Sequence, residues 1–220
     1  TKAGPSPTPT FPSVVFNPRD QYGPPTFTDP LDRSGLTNWV DRQGNLPDTE
    51  NIKIEIKSGK FYVTGKKPGF STWWFSWPEL EDFYIELVVD SKDCSGKDAY
   101  GLIFRGPPHM AGLSYGYVVA LSCNGSYWIY RLDGVDPWRD KVLVDWRSSD
   151  LINTGANQVN MLGVQMIGDT LTVFINGKSV AEVIDDEYSQ GRYGFFVYAS
   201  DTFYYTYQPL ELYYWDLKKK

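Results

Sequence analysis

The sequence predicts an all-β protein, an antiparallel sandwich of two sheets. Three observations carry this. Apolar and polar residues alternate with period 2 over many short runs. Two Asn-Gly pairs lie between such runs. Aromatic residues make up 16% of the chain, with 8 Trp, 16 Tyr and 12 Phe, and these types fit a pleated, half-buried surface.

In chain order, Ile52, Ile54 and Ile56 alternate with Lys53, Glu55 and Lys57. Phe83, Ile85, Leu87 and Val89 alternate with Tyr84, Glu86, Val88 and Asp90. Tyr100, Leu102 and Phe104 form a stripe opposite Gly101, Ile103 and Arg105, and Leu162, Val164 and Met166 form another. Asn124-Gly125 separates Tyr115–Cys123 from Ser126–Leu132, and Asn176-Gly177 separates Leu171–Ile175 from Lys178–Val183. Asn-Gly suits a two-residue type I′ turn, whose central residues both need positive φ. In the first hairpin this register sets Ser122 opposite Tyr127, Ala120 opposite Ile129 and Val118 opposite Arg131. Leu121 then faces Trp128 and Val119 faces Tyr130 on the other side, which is the expected core face. About a dozen strands follow from these signals, and no helical period is sustained over three turns.

The chain has 220 residues, long enough for one β-sandwich core, read here as a single domain over 13–217. Lys and Arg number 21 against 27 Asp and Glu, a net charge of −6, which argues against a nucleic-acid partner. No apolar run is long enough to span a membrane. Residues 4–12 read as an extended Pro/Thr spacer, so residues 1–12 are expected to be a linker, and Lys218-Lys219-Lys220 a basic tail. Such spacers separate surface domains from an anchor or signal, so an extracellular or cell-surface location is expected. Cys94 and Cys123 are the two cysteines. They are read as a disulfide, which suits export, with buried free thiols as the alternative.

A family resemblance adds to this reading. Tyr100-Gly101-Leu102-Ile103-Phe104-Arg105 is followed by Gly116-Tyr117-Val118-Val119, Asn124-Gly125-Ser126-Tyr127, Val144-Asp145-Trp146 and Asn157 to Leu162. Leu171-Thr172-Val173-Phe174-Ile175-Asn176-Gly177, Asp185-Asp186 and Gly191-Arg192-Tyr193-Gly194-Phe195 complete the series. This order resembles laminin-G-like and concanavalin A-like jelly rolls, above all the bacterial exported domain related to 3-keto-disaccharide hydrolases. The resemblance covers roughly residues 25–217 and implies a jelly-roll sandwich. It implies no single function, because the superfamily holds glycosidases, lectins, carbohydrate-binding modules and adhesion domains.

The residues narrow the choice. Glycosidases need two carboxyls at a fixed spacing. The Glu-x-Asp-x-x-Glu strand of laminarinase-type relatives is absent. Glu79-Leu80-Glu81-Asp82 sits at a strand entry instead. His109 is the one histidine, in a Gly-Pro-Pro-His-Met loop with no nucleophile motif beside it. Sugar binding needs aromatic platforms and fixed polar groups. The expected ligand site is a groove on one sheet formed by Glu86, Arg105, Tyr127, Arg131, Trp138 and Trp146, with Glu86 and Arg105 sharing a face. Gly101, Gly116 and Ala120 leave room there, and Trp73-Trp74 and Tyr204-Tyr205 are further candidates. No cofactor is expected beyond one structural calcium, for which Asp29, Asp32 and Asp216 could meet as the chain ends converge. Asp90, Asp93 and Asp98 form a second acidic loop. Asn124-Gly125-Ser126 is also an N-glycosylation acceptor pattern.

The resulting expectation is a non-catalytic, lectin-like module whose partner is a glycan or polysaccharide. The rivals are a structural or adhesive domain that meets another surface protein or itself, and a glycoside-active enzyme that would use Glu86 or Asp186.

Overall fold

The computed structural model describes residues 15–108, 114–134, 136, 139–200 and 202–218. The expected spacer, His109 and Trp138 lie outside the described residues. One sheet contains β1 (Phe27–Asp29), β2 (Ile52–Lys57), β3 (Lys60–Gly65), β5 (Phe83–Asp90), β10 (Val159–Ile167), β11 (Thr170–Ile175), β12 (Lys178–Ile184) and β14 (Tyr205–Asp216). The other contains β4 (Phe70–Leu80), β6 (Ala99–Gly106), β7 (Tyr115–Ser122), β8 (Ser126–Asp133), β9 (Lys141–Ser148) and β13 (Gly191–Ala199). The eight-stranded sheet runs β12-β11-β10-β5-β14-β3-β2, with β1 also on β14. The six-stranded sheet runs β4-β13-β6-β7-β8-β9. All pairings between strands are antiparallel.

The period-2 stripes become the core between the sheets. Ile52, Ile54, Phe83, Ile85, Leu87, Val89, Leu162, Val164 and Met166 meet Tyr100, Leu102, Phe104, Val119, Leu121, Phe195 and Val197. Each fully buried apolar side chain contributes roughly 1.5–3 kcal/mol. A five-residue helix, α1 (Pro18–Tyr22), precedes the strands. Asn17 caps it by accepting from the Arg19 N–H at 3.1 Å, and Pro18 opens it. Among the described residues no helix is long and apolar enough to cross a membrane.

The two Asn-Gly turns differ. Asn176 and Gly177 have φ +48° and +78°, and Ile175 pairs with Lys178, the expected two-residue loop. At the other turn, Gly125 has φ +89° whereas Asn124 is not left-handed, and the Gly125 N–H donates to the Ser122 carbonyl at 3.0 Å. Leu121 pairs with Tyr127, so the loop holds three residues. The Ser122 hydroxyl fixes this shape, accepting from the Ser126 N–H at 3.1 Å and donating to Asn124 Oδ1 at 2.6 Å. The expected register is therefore wrong by one residue, and a one-residue slip turns a strand over. Val119 and Leu121 do face the core, but their partners are Ile129 and Tyr127, while Trp128 and Tyr130 point outward.

Cys94 and Cys123 form a disulfide with Cα atoms 5.3 Å apart. It ties the connection between the two sheets to the β7–β8 turn. Replacing both cysteines by serine is expected to lower stability by about 3–4 kcal/mol, read from urea unfolding of oxidised wild type beside the variant.

Candidate functional site

The outer face of the six-stranded sheet follows from the β7–β8 register. One row of outward residues runs Trp73, Phe196, Gly101, Ala120, Trp128 across β4, β13, β6, β7 and β8. The Gly101 and Ala120 positions carry almost no side chain, so the Trp128 and Phe196 rings lean over them to 6.4 Å. The space expected there for a ligand is taken by these rings. Trp128 also stacks on Tyr130 at 4.6 Å and on Trp146 at 5.5 Å, with planes within 18° and 10° of parallel. Trp146 ends this stack on the edge strand β9 and is 42% exposed.

The next row sets Tyr198 beside Ala99 and Ala99 beside Ser122. Here a hollow of about 300 Å³ opens, lined by Lys97, Ser122, Asn124, Ser126, Trp146 and Tyr198. A second hollow of about 330 Å³ is almost wholly apolar, with Phe70, Trp73, Val118, Trp128, Tyr130, Leu132 and Phe196 around Ser71. A third, of about 260 Å³, is bounded by Trp73, Trp74, Phe75, Ser114 and Arg192. The Arg192 guanidinium lies 5.0 Å over the Phe75 ring, and its Nε donates to the Pro107 carbonyl at 2.6 Å. None of these residues is a carboxylate.

The expected ligand residues do not assemble. Among the described ones, Trp146 alone reaches this face. Tyr127 points into the core and donates from its hydroxyl to the Val180 carbonyl at 3.0 Å, because the three-residue turn inverts β8. Arg131 follows the same inward stripe to the sandwich rim. There its Nη1 donates to Asp185 Oδ1 and Oδ2 at 2.8 and 2.9 Å. Lys141 Nζ and the Tyr117 hydroxyl also reach Asp185, at 3.1 and 2.9 Å. Burial alone would raise the Asp185 carboxyl, but hydrogen bonds from Arg131, Tyr117 and Lys141 outweigh it and hold it below its ordinary value.

Glu86 and Arg105 lie on different sheets and share no face. Alternation would turn Arg105 outward. Instead β6 spends three steps from Ile103 to Gly106 while β13 spends two from Arg192 to Gly194. Arg105 sits in this bulge with φ +51° and swings inward. Its side chain is 1% exposed and donates to the carbonyls of Glu81, Gly168 and Tyr188 at 2.7, 2.8 and 2.9 Å. Asp82 stands at 3.6 Å. Glu81, Asp82, Asp169 and Asp186 border a cleft of about 130 Å³ beside it. Arg105 thus fastens three connections at one end of the sandwich. Arg105→Ala strands three carbonyls and is expected to lower stability by roughly 3 kcal/mol or more in urea unfolding.

Glu86 faces away from the core, as its alternation predicts, but it is covered. Phe16 packs on Phe174 and Tyr84 at 4.5 and 5.2 Å. Arg19 lies 4.8 Å over Tyr213, and the Trp215 indole donates to the Gly23 carbonyl at 2.8 Å. Residues 16–23 so form a strap over the eight-stranded sheet. Beneath it Glu86 accepts from the Tyr84 hydroxyl at 3.2 Å, and burial pushes its carboxyl above the ordinary range. A raised carboxyl binds its proton more tightly folded than unfolded, so its contribution to stability falls as pH rises through the ordinary and then the raised value. Glu86→Gln is expected to raise Tm at pH 7 and to flatten this loss between pH 4 and 7 in thermal melts. An unchanged or lower Tm at pH 7 would refute the assignment.

The three acids expected to share calcium do not converge. The chain ends do meet, as β1 pairs with β14, but Asp29 pairs with Leu212, four residues or about 13 Å of strand from Asp216. Asp29 spends its oxygens on the Leu31 N–H and the Trp39 indole, both at 2.9 Å. Asp32 Oδ1 accepts from the Ser34 N–H at 2.7 Å, and Asp216 Oδ1 from the Lys218 N–H at 3.2 Å. Among the described residues no group of three or more His, Cys, Asp or Glu could hold a metal ion. In the second acidic loop, Asp90 pairs with Lys92 and Asp98 accepts from the Ser200 N–H.

Lys97, Ser122, Asn124, Ser126 and Tyr198 line the first hollow although sequence reasoning did not place them in the ligand site. The readable signal was the polar Ser122–Ser126 turn next to an outward aromatic stripe. Trp73 did fall on this face, whereas Trp74 donates to the Trp39 carbonyl at 2.7 Å and Tyr205 is buried.

No family model and no curated protein matches the sequence. Solved structures match the fold. A carbohydrate-binding module, CBM66, from Bacillus subtilis aligns with TM-score 0.57 and 18% identity, over 74% of this chain and 90% of that one. A Bacillus subtilis protein of unknown function with a galectin-like fold aligns with TM-score 0.65 and 9% identity, over 89% and 97%. A family 16 endo-glucanase from Bacteroides ovatus aligns with TM-score 0.61 and 10% identity, over 86% and 99%. At these identities the likeness concerns architecture, and the architecture is an antiparallel two-sheet jelly-roll sandwich.

Proposed function

We propose that this chain is a non-catalytic, extracellular carbohydrate-binding module that takes its glycan on the outer face of the six-stranded sheet. The observation that carries the reading is the hollow between Trp146 and Tyr198. Its lining combines these two aromatic side chains with the polar Lys97, Ser122, Asn124 and Ser126. Sugar rings bind through this pairing, with CH faces against aromatic rings and hydroxyls against fixed polar groups. A carbohydrate-binding module among the solved relatives supports a glycan partner. The lining without carboxylates supports binding without hydrolysis, since hydrolysis needs a carboxyl pair. The disulfide supports an oxidising, extracellular setting.

A glycan array on the protein made in a host without N-glycosylation tests this, with calcium and with a chelator. At least one glycan class is expected to bind. Trp146→Ala is expected to weaken it about tenfold or more, the equivalent of about 1.4 kcal/mol, with unchanged circular dichroism. A folded protein that binds no glycan and self-associates would move the reading to a structural or adhesive domain. Glycan cleavage lost with Glu86→Gln or Asp186→Asn would move it to an enzyme.

A further inference from the structure

The strap of residues 16–23 is held on the eight-stranded sheet mainly by side-chain packing. Phe16 and Tyr22 pack against Tyr84, with ring centroids 5.2 and 6.3 Å away. The Phe16 N–H donates to the Gly177 carbonyl at 2.6 Å, and the Gly23 carbonyl accepts from the Trp215 indole at 2.8 Å. The Tyr22 hydroxyl meets the Gln165 amide. The five-residue helix inside the strap is too short to persist by itself, so its order depends on the sheet beneath. The chain leaves the strap through Gly23, with φ +75°, and Pro24-Pro25. The Thr26 N–H then donates to the Tyr214 carbonyl at 2.9 Å, and β1 follows on β14. Lifting residues 16–23 about this point breaks no strand pairing.

Glu86 lies beneath, with 4% of its surface exposed. Across the sheet its neighbours are Gly163 on β10 and Tyr213 on β14, with Phe174 of β11 beyond Gly163. Its hydrogen bond comes from the Tyr84 hydroxyl at 3.2 Å. The Tyr213 hydroxyl turns instead to Glu211 at 2.7 Å, and on the strap Asp20 accepts from the Asn17 amide at 2.9 Å. Arg19 is drawn over the Tyr213 ring at 4.8 Å. Burial raises the Glu86 carboxyl most, the Tyr84 bond and Arg19 lower it less, and Glu211 raises it further. A charge at Glu86 is therefore tolerated poorly while the strap is down, and lifting the strap returns water to it.

We propose that residues 16–23 form a pH-sensitive latch, seated on the eight-stranded sheet while the Glu86 carboxyl is protonated and released when that carboxyl ionises. The latched state holds the proton to a higher pH than the open state. Between the two values opening releases that proton, so the open state gains up to about tenfold per pH unit as pH rises. Below both values, and above both, the equilibrium no longer depends on this group. Opening uncovers Tyr84, Phe174 and Trp215, an aromatic face on the opposite side of the molecule from the Trp146 hollow.

The test is amide hydrogen exchange of the whole chain, followed by NMR and expressed as protection relative to the intrinsic rate at each pH. The Phe16 and Gly23 amides are expected to exchange faster than those of β5 and β10 at every pH, as a unit that opens on its own. Their protection is expected to fall about tenfold between about pH 5 and about pH 7.5 in the wild type, and to stay level in Glu86→Gln. Phe16→Ala is expected to lower the Gly23 protection already at about pH 5, and to move the NMR titration of the Glu86 carboxyl down toward the ordinary range. Strap amides protected as well as the core, or a pH dependence that survives in Glu86→Gln, would overturn the inference. So would a Glu86 titration unmoved by Phe16→Ala.

Discussion

The register in which β7 meets β8 governs the rest of the molecule. The Ser122 hydroxyl holds a three-residue turn, and that turn decides which side of β8 is buried. Tyr127 and Ile129 enter the core, while Trp128 and Tyr130 join the outer face. With a two-residue turn the same aromatics would exchange roles. Trp128 is then the keystone of the exposed face, touching Phe196 on one side and stacking between Tyr130 and Trp146 on the other.

The fold was legible because period 2 is a strong signal when one face must be dry. The isoleucines of β2 and the stripes of β5, β6 and β10 all lie where their alternation places them. The site was legible only in part, for local reasons. Asn-Gly fits two turn geometries, and only the hydrogen bonds of Ser122 select between them. A bulge adds one residue without a sequence mark, so Arg105 could not be read as inward-facing. Glu86 was placed on the correct side of β5, but the strap that covers it comes from residues 16–23, some seventy residues earlier in the chain. Burial by a distant segment leaves no trace in the periodicity of the strand beneath.

Three buried ionisable groups meet three different fates. Arg105 is satisfied by carbonyls and closes one end of the sandwich. Asp185 is surrounded by donors and stays charged. Glu86 has one phenolic donor and a covering strap, so its charge is the costly one. Each departs from the usual exclusion of charge from the interior, and the first two are answered locally by hydrogen bonds.

The disulfide has a second role beyond joining the sheets. Cys94 lies three residues before Lys97, and Cys123 is the residue before Asn124. The same covalent bond therefore anchors both segments that carry Lys97 and Asn124 of the hollow's lining. Their spacing is set by a bond that exists only under oxidising conditions. The local shape of this end of the sheet is thus a property of compartment as well as of sequence, since a reducing milieu would free the segment after Cys94 from the β7–β8 turn.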